Sequence, residues 1–138
     1  MRCSPKLVGV SIMKRRGRRF YPRFKCWISS DKARGVFGDG KYRLLEAIER
    51  NGSLTEACKS LGISYRKAWG DLRKLEGSVG VAFLERHRGG REGGHTTLTD
   101  EGKKWIRAYS RFRSKVECVV TAAYEKHIQG LLEVRKDK

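Results

Sequence analysis

A chain of 138 residues with 32 lysines and arginines against 15 acidic residues, net charge +17, fits one small domain with an appended element. Its 38% apolar content supports a modest core and argues against wholesale disorder, and no apolar run approaches the roughly 20 residues of a membrane span. The excess is +8 over residues 1–23, +5 over 24–98 and +4 over 99–138, so every segment favours a polyanionic partner, nucleic acid first.

Residues 1–23 hold eight basic and no acidic groups and read as a flexible arm, adding phosphate or minor-groove contacts or serving no role. The apolar stretch from Leu7 to Met13 is too short, and too closely followed by Lys14-Arg15-Arg16, to be a signal peptide, so a cytoplasmic location is expected. Residues 24–28 have the aromatic and β-branched content of a short strand, and Gly35, Gly38 and Gly40 predict a loop. Tyr42, Leu44, Leu45 and Ile48 recur at helical spacing, and Asn51-Gly52 stops that helix. Ser53 with Glu56 three residues later forms a capping box for a second helix to about Leu61. Gly62 allows a sharp turn, and Ser64 caps a third helix reaching about Leu75 or Glu76, where Gly77 and Gly80 break the pattern. Residues 81–87 and 95–98 then flank the run Arg88-Gly89-Gly90-Arg91-Glu92-Gly93-Gly94, which predicts a hairpin with a flexible tip. Thr99 caps a long helix whose first turn carries Asp100 and Glu101, where the dipole favours anions.

This order predicts a mainly α chain with a small β-hairpin. Residues 24–98 would form a winged helix-turn-helix, and 99–138 a long dimerisation helix with a short tail. The second and third helices carry the chemistry. In such a pair one helix crosses the DNA backbone and the next enters the major groove. Small residues are needed where they cross, and Ala57 and Cys58 supply them. At 100° per residue, turning Ala68, Leu72 and Leu75 inward sends Arg66, Lys67, Gly70, Arg73 and Lys74 outward. Four of these are cations, and Gly70 leaves room for a phosphate or base edge. Ser64 and Tyr65 stand at the helix entry, where base edges are met first, while Trp69 on the flank is assigned to the core. Arg66 or Lys67 could reach a guanine edge, and arginine suits the bidentate role. In the hairpin tip, Arg88 and Arg91 among glycines suit phosphates or a narrow minor groove. A nucleotide-cradling loop is excluded there because no Gly-Lys-Ser/Thr follows.

The four cysteines (Cys3, Cys26, Cys58, Cys118) contain no Cys-x-x-Cys pair, and His87, His95 and His127 complete no zinc spacing. No metal or cofactor is expected, and the thiols should be reduced. No nucleophile–base pair or paired carboxylates can be assembled, so an enzyme is not expected. Along the last helix, Trp105, Tyr109, Phe112, Val116, Val119 and Ala123 follow at gaps of four, three, four, three and four, a heptad seam. Ile106, Val120, Tyr124, Ile128 and Leu131 widen it. A helix from Asp100 to Ile128 would span roughly 44 Å, more than one small domain covers, which predicts a homodimer. Two copies would present two recognition helices to major grooves about 34 Å apart.

These residues together resemble the DNA-binding domain of the molybdate-responsive ModE-type regulators, relatives of the LysR-type winged helix. The resemblance covers about residues 24–128 and rests on Leu44-Leu45-Glu46-Ala47-Ile48, Gly52-Ser53-Leu54-Thr55-Glu56-Ala57 and Gly62-Ile63-Ser64-Tyr65-Arg66-Lys67-Ala68-Trp69. It continues through Glu85-Arg86, the paired glycines 89–90 and 93–94, and Leu98-Thr99 with Gly102. It implies dimerisation through helices and binding to a pseudo-palindromic double-stranded DNA operator. Complete family members add C-terminal oxyanion-binding barrels. Only about ten residues follow the long helix here, so molybdate binding is not expected. The expected function is a sequence-specific transcriptional regulator. The rivals are an architectural DNA-coating protein with little sequence preference and a ligand or redox switch acting through the dimer interface and Cys118.

Overall fold

The computed structural model describes residues 18–87 and 95–134. Most of the expected arm, the hairpin tip with Arg88 and Arg91, and residues 135–138 lie outside the described residues. The chain divides into two units, one formed by Lys25–Tyr109 and the other by the residues before and after it. The first part of the long helix therefore belongs to the winged-helix unit.

In the first unit, β1 (Trp27–Ile28) pairs antiparallel with β2 (Phe37–Gly38), Trp27 opposite Gly38. Three helices follow, α1 (Asp39–Asn51), α2 (Leu54–Leu61) and α3 (Tyr65–Val79). The hairpin of β3 (Leu84–His87) and β4 (His95–Leu98) leads into α4 (Asp100–Tyr124). Both expected caps form: the Ser53 hydroxyl accepts from the Glu56 N–H at 3.3 Å and the Ser64 hydroxyl from the Lys67 N–H at 3.1 Å. Gly62 stands at φ 67°, a left-handed conformation that only glycine adopts without strain, and this turns the chain from α2 into α3.

Two expectations are corrected. Gly77 does not end α3, which continues to Val79. A helical glycine weakens a helix by only about 1 kcal/mol against alanine, and tertiary contacts offset that: Val79 packs on the core, and the Glu76 carboxylate accepts the N–H groups of Phe83 (2.9 Å) and Leu84 (3.3 Å). The run before α1 is not simply a loop, because Phe37 is fully buried within it. Its ring lies 4.9 Å from Tyr109, 5.2 Å from Trp105 and 6.4 Å from Phe83, centroid to centroid. This aromatic cluster closes the core that Leu44, Leu45, Ile48, Leu72 and Leu75 build beneath it.

Tyr109 is 2% exposed, and its hydroxyl donates to Asp39 Oδ1 at 2.6 Å, with the Cys26 carbonyl at 3.0 Å. Burial, reinforced by the Asp39 carboxylate, pushes this phenol well above its usual range. Thr99 joins hairpin to helix. Its hydroxyl donates to the Ala82 carbonyl (2.6 Å) and accepts from the Gly102 N–H (3.0 Å). A Cβ at Gly102 would stand 2.6 Å from the Phe83 carbonyl oxygen, a backbone atom that cannot swing aside, so the Leu98-Thr99-x-x-Gly102 string marks a contact only glycine permits.

In the second unit, the Arg113 guanidinium lies 4.8 Å from the Phe24 ring centroid and the Tyr124 hydroxyl donates to the Phe20 carbonyl at 3.1 Å. Phe20 and Phe24 thus contact the helix within this unit. After Tyr124 the helix passes through a π turn, Glu125–Gln129, into α5 (Gly130–Val134). Cys26 and Cys58 are free thiols, and burial raises the Cys58 pKa. Cys118 is disulfide-bonded, so the expectation of reduced cysteines fails there. Among the described residues, no helix is long and apolar enough to cross a membrane.

Candidate nucleic-acid interface

The face of α3 divides as its periodicity requires. Ala68, Leu72 and Leu75 are buried, while Arg66, Lys67, Arg73 and Lys74 are exposed and Tyr65 is 49% exposed. Gly70 is half-exposed, and nothing lies within 4 Å of where its Cβ would stand. Ser64 has a structural duty as the N-cap. Lys67 is engaged too: its ammonium lies 2.7 Å from Asp71 Oδ2, one turn along the helix. Neither group is buried, so the pair adds little stability.

Two cations missed by sequence reasoning join this surface. Lys41 on α1 donates to the Gly35 carbonyl at 2.6 Å. Its pKa is lowered, first by burial; Asp71 opposes this, and Lys67 and Lys74 reinforce it, which places the start of α1 in the field of α3. A lysine in the first turn of a helix opposes the dipole preference, and that was the signal available in the sequence. Arg86 on β3 lies over the Trp69 ring, 3.3 Å from its centroid, and Tyr65 meets the same ring edge-on at 6.3 Å. Trp69 is half-buried and packs against the core, as assigned, but its ring also serves this stack.

His87 and His95 pair across β3 and β4 at the end of the hairpin farther from α4. No group of three or more metal-ligating side chains occurs among the described residues. Of the residues in the expected dimer seam, Tyr109 lies in the core of the winged-helix unit and Trp105 packs against it. Periodicity alone does not separate a helix's own core from a partner's face. Phe112 (45% exposed), Val119 (64%) and Ala123 present side chains outward, and Val116 is half-buried.

A two-helix motif with a cationic outer face, completed by a hairpin wing, defines a winged helix-turn-helix. Residues 40–103 match the family described as bacterial regulatory helix-turn-helix protein, lysR family, and form a LysR-type helix-turn-helix domain. The chain is similar to the molybdenum transport protein ModE of Azotobacter vinelandii, 39% identical over 88 residues, 63% of this chain and 33% of that protein. It is also similar to the transcriptional regulator ModE of Haemophilus influenzae, 35% identical over 69 residues, 50% of this chain and 27% of that one. It thus spans no more than a third of the length of these relatives. The crystal structure of the BenM_DBD/benA site 1 DNA complex shares the fold, with a TM-score of 0.50 and 23% identity over 65% of this chain and 96% of that chain.

Proposed function

We propose that this protein is a transcriptional regulator that binds double-stranded DNA sequence-specifically as a homodimer. Helix α3 would lie in the major groove and the glycine-arginine wing on the adjoining backbone or minor groove. The observation that carries this reading is α3 itself, whose apolar face is buried while Arg66, Lys67, Arg73 and Lys74 stand on its outer face. Arg66 reads a base edge, and Lys67, once it leaves Asp71, joins Arg73 and Lys74 on phosphates. The molecular names of the relatives support regulation as the role, and no catalytic step enters it.

Selection from a random duplex library at about 150 mM salt, with the bound pool sequenced, tests the proposal. A two-fold-related motif is expected, and Arg66→Ala should flatten the preference at one base pair, about 1–3 kcal/mol of discrimination. Binding without any enriched motif would favour the architectural alternative, to which the net charge of +17 lends weight.

Gly70 offers a test in which stability and affinity move in opposite directions. Its Cβ position is open in the free protein. Gly70→Ala should therefore stabilise the domain by about 1 kcal/mol through helix propensity, while a methyl group facing the duplex weakens binding about tenfold. Thermal melting and a duplex titration measure the two effects, and unchanged affinity would show that DNA does not approach the backbone there.

A further inference from the structure

We propose that Arg86 is a DNA-phosphate clamp, held ready by Trp69 at the junction of recognition helix and wing. The inference rests on the DNA-binding reading above and adds a contact that reading does not contain.

The register of the wing provides the first argument. Arg86 pairs with Thr96, which is buried, whereas Glu85 and His87 alternate to the other side. Position 86 thus shares the side of the hairpin that Leu84 and Leu98 turn toward the domain, where an apolar residue would be ordinary. The arginine there reaches the Trp69 ring at 3.3 Å. Trp69 lies one turn after Tyr65 and one turn before Arg73, so the ring sits on the ridge of α3 that looks toward the wing.

The chemistry provides the second argument. A guanidinium stacked on an indole uses its π face and keeps its N–H groups in the plane, pointing away from the ring. Among the described residues Arg86 makes no ion pair, so that fork is uncommitted. Stacking also orders the long side chain in advance, which lowers the entropy lost on contact.

Topology selects the ligand. With α3 in the major groove and the wing over the neighbouring minor groove, the sugar-phosphate strand dividing the grooves passes between them. Arg86 stands at that junction, and a planar fork matches two oxygens of one phosphate.

The test uses the whole chain and two duplexes, one enriched by selection and one unrelated, titrated over a series of salt concentrations. Arg86→Ala should weaken binding about tenfold on both duplexes and make the salt slope shallower by about 0.9, one phosphate's worth of released counterions. Arg86→Lys should keep the slope but recover only part of the affinity, because an ammonium neither stacks flat nor forks. Trp69→Phe, which keeps a ring, should retain most of the binding. An unchanged salt slope in Arg86→Ala would overturn the proposal and leave Arg86 as a cover for Trp69. A loss confined to the selected duplex would overturn the phosphate assignment in favour of a base edge. If the unaltered chain binds neither duplex, the DNA-binding reading falls and this inference with it; if it binds and Arg86→Ala matches it, only this inference falls.

Discussion

Phe37→Ala is expected to lower the stability of the winged-helix unit by about 3–5 kcal/mol, a large part of what a small domain possesses. The ring is fully buried and touches Phe83, Trp105 and Tyr109, so its removal opens a cavity at the meeting point of β2, the wing and α4. These three partners cannot collapse into the space freely: Tyr109 is held by Asp39, and the Phe83 backbone is held against Gly102 and Thr99. Denaturant unfolding measures the effect, and a loss below about 1 kcal/mol would mean that β2 is not part of the cooperative unit. The position is informative because Phe37 precedes the 40–103 segment that matches the family. Its burial shows that the core here extends beyond that segment, and a fragment cut at residue 40 should unfold as the substitution does.

Val119→Glu is expected to split the proposed dimer and to weaken binding to a duplex with two half-sites by at least about 100-fold, through loss of effective concentration. Val119 is 64% exposed in the single chain, so a carboxylate there should leave the monomer's melting almost unchanged. Across a two-fold seam it would set two carboxylates in an apolar contact, at a cost several times that of a surface substitution. Sedimentation gives the mass and titration gives the affinity, while binding to a single half-site should stay the same. A variant that remains dimeric and binds normally would move the seam away from Phe112, Val116, Val119 and Ala123.

The helix-turn-helix was legible because its determinants are local. Ser53 and Ser64 cap the helices they precede, Gly62 turns left-handed, and the 68–72–75 stripe turns inward, each fixed by neighbours within one turn. Three things were not legible, and each depends on tertiary contact. Phe37 sits in a glycine-rich run that reads as a loop, and only the arrival of Trp105 and Tyr109 gives it a pocket. Those two residues fit a heptad equally well whether they face a partner or their own domain. Arg86 meets Trp69 only when β3 folds beside α3. The Lys67–Asp71 pair is different: its four-residue spacing on one helix is visible in the sequence and follows from local geometry alone.

The π turn at Glu125–Gln129 bears on how occupancy responds to concentration. Bonding to the fifth residue rather than the fourth takes up one extra residue, a phase slip of about 100° on a helix with 3.6 residues per turn. Leu131, apolar and exposed, would stand about 100° from the line through Phe112 and Val119 in an unbroken α-helix; the slip brings it back onto that line, with Ile128 about 60° away. A seam from Phe112 to Leu131 is about 30 Å long at 1.5 Å per residue, under three heptads and short for a self-sufficient coiled coil. Subunits joined so briefly would separate at low concentration and meet again on the operator. Filling of the site would then rise with the square of protein concentration, and a modest change in the amount of this chain would act as a threshold.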